Sequence, residues 1–148
     1  MKSRTFLIAL LAIAVMAVGA SVQAQTGRGR QVAVALVDTL AQPGLRAEIL
    51  RFSDAGRPDV ILLPRGAATA EDLAAAIASY RSSVARTPSR PGLVGRTAIT
   101  SHTTSSPAAA SLRATAAEML AKVRRAPLSR VGNYGPGQWS TFEVRVGG

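Results

Sequence analysis

Two apolar stripes at helical spacing constrain the fold of this chain most. Leu73, Ile77, Tyr80 and Val84 fall at i, i+4, i+7 and i+11, and the spacing returns 39 residues later in Leu112, Ala116, Met119 and Val123. Each stripe predicts a helix with one apolar face, which must be buried against another layer. Thr69 suits the cap of the first helix, with Asp72 three residues on as a short form of the capping box, and Pro88 forbids continuation. Ser106-Pro107 opens the second helix, with Ser106 as cap and Pro107 at the first helical position. Arg124 and Arg125 close it, where cations suit the helix dipole, and Pro127 stops it. Amphipathic helices of equal length look alike in an Ala-rich chain, so the echo does not by itself establish a repeat.

Strand patterns supply the layer for these helices. Residues 31–38 (QVAVALVD) and 59–63 (DVILL) are apolar and rich in β-branched residues. Residues 45–52 (LRAEILRF) alternate at first, with Leu45, Ala47 and Ile49 on one face and Arg46 and Glu48 on a face expected to be wet. The connections among the three are too short for a crossover helix, which predicts an antiparallel meander. Residues 93–104 read as a fourth strand and 139–146 as a fifth, with Phe142, Val144 and Val146 on one side and Trp139 on the other. Between the second helix and that last strand, 126–138 (APLSRVGNYGPGQ) reads as a long loop. The expected fold class is α+β: a mixed five-stranded sheet made of the meander, two strand-helix units and a final strand, with two helices on one face. A single domain over 31–148 comes after a polar lead-in at 25–30.

The first 24 residues bear on destination. Lys2 and Arg4 precede an unbroken apolar run over 6–18, and Val22-Gln23-Ala24 comes next. This is the pattern of a bacterial secretory signal peptide cleaved between Ala24 and Gln25. The run falls short of the roughly 20 residues that span a bilayer, so no stable membrane span is expected after cleavage. The expected location is periplasmic or extracellular. The chain has no Cys, which excludes disulfides, thiol nucleophiles and Cys-based metal sites. A lone His102 excludes multi-His zinc sets, and no metal or cofactor is expected.

The whole chain carries 18 Lys and Arg against 8 Asp and Glu, a net charge of +10. Removing Lys2 and Arg4 with the leader leaves 16 cations against the same 8 carboxylates, or +8. All but Lys122 are Arg, and the excess favours anionic partners, with weak polyanion binding as the expected consequence. The specific partner is not encoded in any motif, and homo-oligomerisation stays open.

Candidate chemistry is sparse. His102 lies among hydroxyls in TSHTTSS, where a Ser–His pair would need an acidic residue to orient the imidazole, and this stretch has none. Most of the carboxylates, Asp38, Glu48, Asp54, Asp59, Glu71, Asp72, Glu118 and Glu143, fall in turns, at a helix start or on polar strand faces. Residues 64–69 (PRGAAT) lack the second Gly and the Lys of a phosphate loop. The most suggestive segment is the last loop and strand. There Arg130, Asn133, Tyr134, Gln138 and Trp139 combine ring faces with guanidinium and amide donors. Of these, Trp139, Tyr134, Arg130 and Asn133 are the candidate ligand-binding residues, since an aromatic face beside Arg can stack a sugar or a base. The leading expectation is a small exported non-enzymatic binding protein for an anionic envelope component or a protein partner. The alternatives are a small hydrolase using His102 with a nearby Ser, or a structural subunit of an envelope assembly.

Overall fold

In the computed structural model, residues 29–52, 56–84, 93–100 and 107–146 are described. Six strands form one mixed sheet, with two helices between them in sequence: β1 (Arg30–Val37), β2 (Ala47–Phe52), β3 (Asp59–Pro64), α1 (Ala70–Val84), β4 (Leu93–Ile99), α2 (Pro107–Arg125), β5 (Leu128–Arg130) and β6 (Pro136–Val144). The sheet order is β4-β2-β3-β1-β6-β5, and the class is α+β.

The N-terminal strands do not form the expected meander. β2 pairs antiparallel with β3, but β3 then inserts beside β1 and runs parallel to it. Residues 38–46, with a turn at Gly44 (φ +84°), carry the chain past one strand position before β2 begins. β1 and β3, apolar on both faces, take the centre of the sheet, and β2 lies outside them. The sixth strand is also new: β5 pairs with β6 through Leu128↔Gln138 to Arg130↔Pro136, inside what the sequence presents as a loop. A three-residue strand has no periodicity to read, and only its non-local partner defines it. Pro136 opens β6, the strand position where a missing N–H costs least.

Register places Val32, Val34 and Leu36 of β1 on the same face as Ile49, Ile61, Leu63, Phe142 and Val144. Both helices cover this face. Leu73, Ile77 and Tyr80 from α1 and Ala116, Met119 and Val123 from α2 are buried in one cluster with it, while Val84 and Leu112 are half-buried at its margin. The capping box of α1 is present: Thr69 N–H and Oγ1 donate to Asp72 Oδ2 at 3.0 and 2.7 Å, and Asp72 N–H donates back to Thr69 Oγ1 at 3.1 Å. The Ser106 cap of α2 lies outside the described residues. Asp59, 1% exposed, accepts from Phe52 N–H at 2.6 Å and from the Tyr80 hydroxyl at 2.7 Å, with Arg30 Nε at 3.5 Å. It therefore ties β3, β2, α1 and β1 together.

Candidate functional site on the open sheet face

The face of the sheet opposite the helices carries the candidate site. Ala33 and Ala35 of β1, Val60 and Leu62 of β3, Leu50 and Phe52 of β2, Arg96 of β4 and Trp139 of β6 project onto it, by the cross-strand pairs Ala33↔Val60, Ala35↔Leu62, Ala35↔Trp139, Leu50↔Val60 and Leu50↔Arg96. The turn between β5 and β6 folds over part of this surface. A single 3-10 turn over Gly132–Tyr134 is closed by Tyr134 N–H to Val131 O at 3.0 Å, Val131 N–H donates to Gly135 O at 2.9 Å across the loop ends, and Gly135 sits at φ +76°. Gly137 lets this turn lie close. A Cβ there would meet the Leu36 carbonyl at 2.6 Å and Val131 Cγ2 at 2.8 Å. Val131 and Tyr134 then pack against the buried Ala35, Val37, Leu50 and Leu62.

Two adjoining hollows result. A basin of about 380 Å³ is floored by Leu50, Val60 and Leu62 and rimmed by Phe52, Arg57, Arg96, Asn133 and Tyr134. A slot of about 150 Å³ lies over Ala33 and Ala35, between Trp139 and Val60, with Pro58, Arg57 and Arg130 at its margin. Arg57, Val60 and Val131 line both, so the two form one groove across β2, β3, β1 and β6. All four sequence-nominated residues come to this groove: Tyr134 and Asn133 in the basin, Arg130 and Trp139 in the slot. Trp139 is 43% exposed and lies on the opposite side of β6 from Phe142 and Val144, as strand alternation requires. Gln138 does not join them. Its Nε2 donates to the carbonyls of Arg124 (2.6 Å) and Ala126 (3.1 Å), capping the end of α2.

Charge is arranged unevenly around the groove. Glu48, on the face expected to be wet, is only 3% exposed because Arg96 lies over it. Arg96 Nε donates to Glu48 Oε1 at 2.6 Å, its second nitrogen contacts the same oxygen, and it also donates to the Tyr134 hydroxyl at 3.1 Å. Hydrogen bonding to Glu48 makes the Arg96 proton harder to remove. Burial, and then the Glu48 charge, raise the Tyr134 phenol above its ordinary value against the opposing pull of Arg96. Arg57 lies 4.0 Å over the Phe52 ring. Among the described residues, neither hollow is lined by an Asp or a Glu, so the charge of Arg57 and Arg130 is not offset within the lining. The groove therefore offers donors, positive charge, ring faces and an apolar floor.

Other sequence candidates have structural roles or lie elsewhere. Arg65 donates to the Pro136 carbonyl at 2.7 Å and pairs with Asp38 at 3.3 Å, tying the β3–α1 turn to β6 and to the end of β1. His102 and its neighbouring Ser residues lie outside the described residues. Among the described residues, no group of three or more His, Cys, Asp or Glu is placed to hold a metal, and no helix is long and apolar enough to cross a membrane. A groove between α1 and α2 is walled by Ala74, Ala78, Ala109 and Leu112 with Glu71, Arg81 and Arg113 at its edges, and among the described residues no aromatic side chain lines it. Sequence reading missed Phe52, Arg57 and Arg96, whose meeting depends on the register of β2 with β3 and β4. The available signal was β3 itself, apolar on both faces and so in need of a second covering. No protein-family model, curated protein or solved structure matches the chain.

Proposed function

We propose that this chain is an exported, non-enzymatic binding protein that takes an anionic ligand on the open face of its sheet. The observation that carries the reading is the convergence of Phe52, Tyr134 and Trp139 with Arg57 and Arg130 on one groove that, among the described residues, no carboxylate lines. Rings supply stacking area and Arg supplies forked donors, a combination suited to anions that also carry an apolar or planar body. Export rests on the basic start, the apolar run and the Val22-Gln23-Ala24 site.

The test is a panel of heparin, lipopolysaccharide, nucleic acid and small organic acids, titrated at rising salt. Bulk attraction to a basic protein is screened over about 10 Å at 0.1 M salt and falls for every anion alike. A built site keeps one class at high salt, changes the fluorescence of Trp139, the only Trp in the chain, and weakens on Trp139→Ala. Uniform loss with salt, and no effect of Trp139→Ala, would refute the reading.

A further inference from the structure

The slot beside Trp139 has a more specific chemistry than the rest of the groove. On the reading that the open face is the binding surface, this slot decides which anion that surface takes. Here β1 presents only methyl groups, Ala33 and Ala35, between Trp139 of β6 and Val60 of β3. Neighbouring strands lie about 4.8 Å apart, so the two walls stand on backbones roughly 10 Å apart. The space between them is about 150 Å³. An enclosed apolar cavity of roughly 150 Å³ holds one benzene-sized ring, and this slot, open on one side, has a similar volume. Trp139 offers that ring a flat π-face.

The margin of the slot selects for charge. Arg57 is held over Phe52 at 4.0 Å, which positions its guanidinium without neutralising it. Arg130 is exposed, and among the described residues no carboxylate lines the slot beside it. Arg96 differs, because Glu48 already balances it. We infer that the slot binds a free one-ring aromatic acid. Its ring lies against Trp139 on the Ala33–Ala35 floor, and its carboxylate lies between Arg57 and Arg130. Substituents beyond the ring extend past Val131 into the basin.

The experiment titrates phenylacetate into the purified protein and tracks Trp139 fluorescence. Saturable binding is expected. Phenylacetamide, which keeps the ring and loses the charge, is expected to bind at least about tenfold more weakly, the worth of one charge-assisted hydrogen bond, and cyclohexylacetate, which keeps the charge and loses the flat ring, about fivefold more weakly, the worth of one aromatic stack. Arg130→Gln, at an exposed position, should weaken phenylacetate by about tenfold and leave phenylacetamide unchanged. If phenylacetate fails to saturate while another anion still binds through Trp139 at high salt, the aromatic-acid slot is wrong and the open face remains the binding surface. If no anion binds through Trp139, both fall. Equal binding of phenylacetate and cyclohexylacetate, or tighter binding of a peptide ending in Phe, also overturns the aromatic-acid slot.

Discussion

Tyr80 and Asp59 show how much of this fold rests on single polar contacts inside an apolar core. Tyr80 is fully buried and donates to Asp59, which also receives the Phe52 N–H. Tyr80→Phe leaves one oxygen of a buried carboxylate facing only Arg30, and should cost about 1–3 kcal/mol in urea denaturation. The two tyrosines also make stability fall at alkaline pH. Burial first, and then Asp59, raise the Tyr80 phenol, and burial first, and then Glu48, raise that of Tyr134. Their folded values lie above the unfolded value near 10, so the folded state favours the neutral phenols. That stability is fully present below about pH 10 and is lost as pH rises through the folded values. Spectrophotometric titration should find neither tyrosine half-ionised at about pH 10 in the native protein, whereas free tyrosine would be. Ordinary titration of both would contradict the burial of these rings.

Single helices and strands were largely legible in the sequence, because each carries its own period. The stripes of α1 and α2, the capping box at Thr69 and the alternation of β6 are local patterns, and they appear in the structure where the spacing puts them. Ile77→Ala, in the packed stripe of α1, should cost on the order of 2–5 kcal/mol, and a loss below about 0.5 would mean the stripe is not core. Thr69→Ala should cost about 1 kcal/mol in the same denaturation experiment by removing the cap. Order in the sheet was not legible. Nothing local says that β3 slides between β1 and β2, or that Leu128–Arg130 finds Pro136–Gln138. The candidate site divides the same way. Trp139 could be assigned to its face by alternation alone, and Arg130, Asn133 and Tyr134 are its sequence neighbours. Phe52, Arg57 and Arg96 reach them only through pairings that span much of the chain. Glu48 was misread as wet because its cover, Arg96, belongs to another strand.

The molecule as a whole has two unlike sides. One face of the sheet is closed by both helices and holds the larger core, and the other is partly roofed by the 131–135 turn and leaves a groove rimmed with arginine. If the leader acts as proposed, protein exported by a Gram-negative host should have an intact mass beginning at Gln25. A mass retaining residues 1–24 would revive a membrane anchor. The open face as the binding surface is tested most directly by amide chemical-shift mapping, using whichever anion of the panel keeps most affinity at high salt. Saturable shifts are expected at Ala33, Ala35, Val60, Tyr134 and Trp139, with α1 and α2 unmoved. Shifts confined to the helices, or scattered over the exposed arginines without saturation, would contradict a binding surface on the open face.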